Sequence, residues 1–392
     1  MAYKKDEQFY RFALYGFLKN LRFFEPFLIL FFRERGFSFL EIGALFSIRE
    51  IATNILEIPT GVIADIYGRR KSMVFSMLSY IFSFLIFYFF PKFFIYAIAM
   101  ILFAMGEAFR TGTHKAMILE YLRINNMLDK KVEYYGGTRS WSQLGSAFNS
   151  LIAAALVFYS GSYKVVFAAA IIPYIANLIN LATYPKYLEG EGASKKKKKE
   201  TLKDFVSMFR NFATIKAILN TSIFDAFFKS TKEYLQPILE SLALSLPIML
   251  ALSGQKRTAI VVGLVYFVIY LLTSYASRNA ARLSKKFSDL TVALNTTYLV
   301  GALLIMLAGL SKLYNLEILS IIFFLSLYIL HNLRRPIGVS YVSETISHKT
   351  MASGLSVESQ LKTLISAGLA PIIGFFADRF GVGGSLFLVG LM

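Results

Sequence analysis

The sequence predicts an all-α polytopic membrane protein of two six-span halves, and three observations carry that prediction. Of 392 residues 56% are apolar, with a mean hydropathy of +0.55, whereas a soluble domain is a little under half apolar. Apolar runs near the roughly 20 residues that a helix needs to cross a bilayer recur along the chain. The 42 Lys and Arg, against 24 Asp and Glu, fall mostly between those runs, as cytoplasmic loops require. A net charge of +18 would suggest nucleic acid in a soluble protein, but this placement argues for topology instead. The chain has no cysteine, which excludes disulfide frameworks, thiolate metal sites and Cys nucleophiles.

Taken in order, the polar start at 1–8 leads into a run too long and too charged for a cleaved signal peptide, so 9–32 is the first span. The next five are 39–64, 72–90, 93–119, 137–159 and 165–184. The second half has 212–239, 259–276, 290–310, 316–342, 351–376 and a last run from Gly384. That last run reaches only nine residues before the sequence ends, so the expectation is a twelfth helix truncated in this chain. The apolar piece 241–252 is too short to cross. With it excluded, the basic segments at 4–5, 69–71, 123–131, 195–199 and 278–286 share one side, and both termini are expected in the cytoplasm.

Five consecutive lysines at 195–199 mark a basic cytoplasmic linker, 189–210, between an N-terminal bundle at 1–188 and a C-terminal bundle at 211–392. A solvated linker touching anionic headgroups accounts for it. The halves look duplicated. Arg110 precedes Glu120 by ten residues at the inner end of the fourth span, and Arg334 precedes Glu344 by ten at the inner end of the tenth; Ser142-Gln143-Leu144 opens the fifth and Ser359-Gln360-Leu361 the eleventh.

Between the second and third spans lies Gly61-x-x-Ala64-Asp65-x-x-Gly68-Arg69-Arg70. This run closely resembles the signature of the major facilitator superfamily of secondary transporters, and the preceding Glu57-Ile58-Pro59-Thr60 resembles its efflux-like branch. The resemblance implies bundles that rock about a central cavity lined by helices 1, 4, 7 and 10, opened alternately to each side. It also implies a gating set of Gly61, Asp65, Gly68, Arg69 and Arg70, with Asp65 docking near the N-terminus of helix 11 around 353–356, where helix amides favour an anion. The sequence departs from the signature at Ile66, usually basic, and the matching loop at 277–282 has no acid. Topology anchoring alone would also explain Arg69, Arg70 and Lys71. Arg139 at the inner end of helix 5 is expected to pair with Asp65 or Glu120, or to anchor at the surface. The run Ala377-Asp378-Arg379-x-Gly381 echoes the signature on the opposite side of the membrane, where a tight turn suffices.

Charges inside spans are costly unless they face a cavity or a partner. They concentrate in the first span (Lys19, Arg22, Glu25), the fourth (Glu107, Arg110, His114, Lys115), the seventh (Asp225, Lys229, Lys232, Glu233) and the tenth (His331, Arg334, Arg335). Spacings of three and four stack each set on one helix face. Arg110 and Arg334, at matched repeat positions, are expected as paired substrate-binding cations, supported by Arg22, Lys115, Lys229 and Arg335; Arg suits a carboxylate or phosphate held by two parallel hydrogen bonds. The competing reading is that these arginines only pair with Glu107, Glu25 or Asp225 and hold helices together. Glu25, Glu107, Asp225, His114 and His331 are the proton-coupling candidates, because their protonation responds to access to water; either histidine could equally be a helix contact. Two histidines on different helices without clustered ligands are weak evidence for a metal. Glu358 and Lys362 read as a self-satisfying pair four apart.

The expectation is a non-enzymatic, cofactor-free, monomeric transporter of the prokaryotic inner membrane that moves a small organic anion or zwitterion, with lipids as its other partners and no nucleic acid. It would couple to protons or to an exchanged solute. The alternatives are a proton-driven multidrug exporter and a non-transporting membrane sensor of the same fold. No Walker-type phosphate loop occurs, which argues against ATP-driven pumping.

Overall fold

The computed structural model describes residues 5–189, 212–284, 286–287, 289–345 and 351–392, which form helices and turns with no strand. The lysine-rich linker and the docking region expected for Asp65 at 353–355 lie largely outside what can be described, the latter in its side chains. In chain order the α-helices are α1 (Glu7–Lys19), α2 (Leu28–Glu34), α3 (Phe39–Tyr67), α4 (Arg69–Phe89), α5 (Phe93–Arg110), α6 (Thr113–Ile124), α7 (Lys131–Ser160) and α8 (Val165–Ala182). The second half contributes α9 (Phe212–Thr231), α10 (Leu235–Ser245), α11 (Gly254–Arg278), α12 (Ala280–Ser284), α13 (Leu290–Leu313), α14 (Glu317–Thr345) and α15 (Met351–Leu391).

Eight helices among the described residues are long and apolar enough to cross a membrane. The other expected spans miss that measure for physical reasons. The second span, α3, carries Glu41, Arg49, Glu50, Glu57 and Asp65. The first is broken between α1 and α2, where Pro26 starts a 3-10 turn; the seventh is broken between α9 and α10 by a 3-10 turn at Lys232–Tyr234. The eleventh and twelfth run together as α15, interrupted where Gly381 takes φ 71° and ψ 170°. Residues 246–253 leave the helix after Ser245, so the piece 241–252 makes no extra crossing. Breaks of this kind put backbone and charge at membrane depth, and proteins tolerate them only where they are buried or line a cavity.

The chain divides into two units. The first comprises 1–35, 48–193 and 250–267; the second 36–47, 194–249 and 268–392. Each therefore holds a piece from the other half of the sequence, the start of α3 in one case and the start of α11 in the other. The first unit is packed with aromatics. Phe24 stacks on Phe167 at 5.5 Å, Phe31 meets Phe167 at 4.6 Å, and Tyr80 and Phe84 each meet Tyr174 edge to face. Such rings bury large area in a membrane interior where water expulsion no longer drives helix association. The second unit uses small residues between α13 and α15, where a side chain at Gly309 would overlap the backbone at Gly383 and Phe387. Helix backbones approach closely there and gain dispersion contacts.

Candidate functional site

In the first unit the break in the first span sets the geometry. Asn20 caps α1, its side-chain amide donating to the Gly16 carbonyl at 2.7 Å, and the chain unwinds through Arg22. Arg22 Nη1 donates to Glu25 Oε1 at 3.0 Å, and its Nη2 donates to Glu107 on α5. The other Glu107 oxygen accepts from Arg110 Nη2, one turn on. One carboxylate is thus clamped by two guanidinium groups. Arg110 Nε faces the Tyr80 hydroxyl of α4 at 3.4 Å, and the Arg22 guanidinium lies 5.7 Å from the Phe103 ring centroid. Lys19, ending α1, is within electrostatic reach of Arg110 and Arg22. The side chains of Arg22, Glu107 and Arg110 are 15%, 19% and 20% exposed, so the cluster is enclosed but not sealed. It holds three cations, Lys19, Arg22 and Arg110, against Glu25 and Glu107.

After Arg110 the fourth span breaks at Thr111 and Gly112, the latter at φ 78°. The Thr111 and Thr113 hydroxyls donate to the Glu107 and Phe109 carbonyls, both at 2.9 Å, which satisfies acceptors that a helix end leaves open. Beyond the break, His114 stacks on Tyr15 at 3.8 Å, meets Phe12 edge-on at 5.4 Å, and brings Nε2 within 3.4 Å of the Tyr184 hydroxyl. This is an aromatic nest, the surroundings of a helix contact. Lys115 is exposed beside the Tyr135 ring.

In the second unit, His331 on α14 brings Nε2 within 3.3 Å of Asp225 Oδ1 on α9, and its ring stacks on Phe228 at 3.9 Å. Arg334, one turn further, is only 2% exposed. It donates to the Asn220 side-chain oxygen and, through Nε, to Thr297 Oγ1 at 3.2 Å, with its guanidinium 4.1 Å from the Phe224 ring centroid. Its partners are neutral, unlike those of Arg110. A cavity of about 190 Å³ opens beside it, lined by Thr221, Asp225, Arg334, Arg335, Glu358 and Lys362. Arg335 is the exposed cation of that wall. Glu358 and Lys362 therefore face the same space as Asp225 and Arg335 and are more than a pair on one helix. Lys229 is half-buried on α9; Lys232 pairs with Glu233 at 3.1 Å at the break.

The loop signature anchors within its own unit. Gly68 takes φ 101° between α3 and α4. Arg70 donates to the Tyr184 carbonyl at 3.1 Å and pairs with Glu189 at 3.5 Å; Arg69 is half-buried, and Gly61 is exposed with open space around it. The Asp65 side chain lies outside the described residues. Glu120 pairs with Arg123 at 2.6 Å, while Arg139 is exposed on α7.

Sequence reasoning passed over several groups. Arg49 pairs with the buried Glu50 at 3.0 Å in the second span and lies 6.0 Å from the same Phe103 ring that Arg22 approaches. Two adjacent charges in an apolar run were the available signal. Tyr80, Asn220 and Thr297 had none, because a neutral polar residue becomes a site residue only through what it touches. Among the described residues no three of His, Asp or Glu come together as a metal site would require.

Eight apolar helices of membrane-spanning length, with broken helices and charged clusters enclosed in each unit, define a polytopic membrane protein. The chain belongs to the Major Facilitator Superfamily, whose model matches residues 15–359. A Bacillus subtilis protein described as an uncharacterized MFS-type transporter, YxaM, is 35% identical over 106 residues, 27% of this chain and 26% of that protein. The match thus spans about a quarter of that relative's length. Among solved structures, the nucleoside transporter NupG aligns over 98% of this chain and 96% of its own at a TM-score of 0.78 and 11% identity. A POT family transporter in complex with a thioalcohol-conjugated peptide aligns over 98% and 91% at 0.70 and 16%. At these identities the likeness is one of fold.

Proposed function

We propose that the protein is a secondary active transporter, moving a small organic anion or zwitterion by alternating access. The observation that carries this reading is the mixed-charge cavity of the second unit, where Arg335 and Lys362 face Asp225 and Glu358 around about 190 Å³. Such a wall offers guanidinium and ammonium donors to a carboxylate and carboxylate acceptors to an ammonium. In the first unit Lys19, Arg22 and Arg110 outnumber Glu25 and Glu107 by one, which favours an anionic group. The Asp225–His331 pair is the proton-coupling element. Uptake or release of a proton by this pair changes the local charge as the site gains or loses water. The family's transport topology supports an inner-membrane location with cytoplasmic termini.

The test is thermal stabilisation of the purified protein by a ligand panel, since a ligand that binds only the folded form raises Tm, followed by uptake into proteoliposomes with and without a pH gradient. Anions or zwitterions are expected to raise Tm, and the same compounds to show flux that a pH gradient accelerates. Stabilisation by lipophilic cations alone would move the assignment to multidrug export. Binding without flux in either direction would move it to a membrane sensor.

A further inference from the structure

We infer that Asp378 is the latch of a second gate, at the end of the bilayer opposite the Arg69–Lys71 loop. The sequence repeats one pattern at two helix ends: Gly61-x-x-Ala64-Asp65-x-x-Gly68 closes α3, and Gly374-x-x-Ala377-Asp378-x-x-Gly381 closes the first part of α15. Both final glycines have positive φ, 101° at Gly68 and 71° at Gly381, so the two runs share backbone form as well as residues. A tight turn accounts for the glycines. It does not account for what the carboxylate does.

Asp378 reaches across to the beginning of α3. Its Oδ1 accepts from the Phe39 backbone N–H and its Oδ2 from that of Leu40, both at 2.8 Å. These are two of the donors that a helix start leaves without intrahelical partners. The adjoining donors are satisfied locally: Ser38 Oγ accepts from the Glu41 N–H at 3.1 Å, and the Glu41 carboxylate accepts from the Ser38 N–H at 2.8 Å, a reciprocal capping box. Asp378 supplies the two acceptors that the box does not, and its charge suits the positive end of the helix.

The backbones are built for the contact. A side chain at Gly374 would overlap the Phe39 carbonyl, one at Gly43 would overlap the Ala370 carbonyl, and Phe39 stacks on Tyr234 at 5.8 Å. Residues 39–47 of α3 accordingly group with the second unit while residues 48–67 belong to the first. One helix is thus shared between the units, and Asp378 holds its far end. If that end leaves the second unit during transport, the two N–H groups lose their acceptor, so the latch belongs to one conformational state. Asp65, carrying the same pattern at the other end of α3, is the counterpart for the opposite state. The inference takes its purpose from the transport reading, but its test reads conformation and needs no substrate.

Because the chain has no cysteine, a single Ser47→Cys reports the closure without background. Ser47 is one turn from Gly43 on the same helix face and is half-buried. Its reaction rate with a membrane-impermeant maleimide is measured on purified protein. Asp378→Ala is expected to raise the rate about tenfold, Asp378→Asn by less because one acceptor remains, and Ser38→Ala, which weakens the same helix end without touching the latch, by less than about twofold. A rate for Asp378→Ala within about twofold of the parent overturns the inference. So does an equal rise in Ser38→Ala, which would assign both effects to fraying. Should Asp378→Ala not fold, Gly374→Ala forces the same helices apart by a methyl group; a raised rate supports the latch and an unchanged one overturns it.

Discussion

The two charged clusters carry the same three-residue spacing to an arginine and solve the same problem differently. Glu107 and His331 each precede an arginine by three residues. In the first unit that position is a carboxylate shared by Arg22 and Arg110, with Glu25 as a second anion on Arg22. In the second it is a histidine paired with Asp225, and Arg334 is instead held by Asn220, Thr297 and the Phe224 ring. Arg334 is hydrogen-bonded by neutral partners, and the carboxylates nearest it, Asp225 and Glu358, belong to the neighbouring cavity, which carries both signs in reach of solvent. The difference teaches that matched arginines in a repeat need not share a task. One half is built as a tight ion cluster and the other as an open, titratable wall.

Mutations can break this contrast. The largest effect is expected for Glu107→Gln, which leaves two enclosed guanidinium groups without their shared carboxylate; removing one partner of a buried ion pair costs about 3–5 kcal/mol. Thermal unfolding of the purified protein should show a large fall in Tm, and an unchanged Tm would mean that the cluster is solvated. Arg334→Ala should come next, at about 2–4 kcal/mol, because it empties a packed, hydrogen-bonded position. Arg335→Ala next to it should leave Tm almost unchanged and weaken uptake about tenfold through KM, as loss of an exposed ligand contact does. Equal effects of the two on Tm would erase the distinction between buried support and exposed wall.

Asp225→Asn sharpens the comparison on the other side. It should lower Tm by the equivalent of about 1 kcal/mol, as for one hydrogen bond of a partly buried pair, and flatten the dependence of uptake on pH. Retention of the full pH profile would remove the Asp225–His331 pair from coupling. The smallest effect is expected for Arg123→Ala. Its pair with Glu120 lies near the end of α6 with Arg123 56% exposed, and a pair of that kind contributes about 0.5 kcal/mol or less.

The hydrophobic pattern made most of the fold legible. Expected and observed helices share their starts at residues 39, 93, 165 and 290, because bilayer thickness sets their length and the lysines and arginines between them mark the turns. The breaks were harder to read. Pro26 and Gly112 are visible as residues, but a proline is as readily absorbed within a helix, as Pro59, Pro173 and Pro336 are here. The clusters were legible as types and spacings, since a charge in an apolar run is rare and costly. Their pairings were not. Arg110 and Arg334 look alike in sequence, and Asp378 looks like part of a turn until its carboxylate is found on the start of α3.

By itself the sequence determined membrane class, family, helix order and the helices that carry charge, all of which follow from local composition and from the cost of polarity in lipid. Only the tertiary structure decided which arginine is clamped by an anion, which is buried among neutral partners, and which faces a cavity. It alone decided that Asp378 caps a helix whose first residue, Phe39, is 339 positions away in sequence. Those outcomes depend on contacts between distant segments, and a hydrogen bond is specified by where two groups meet, not by either group alone.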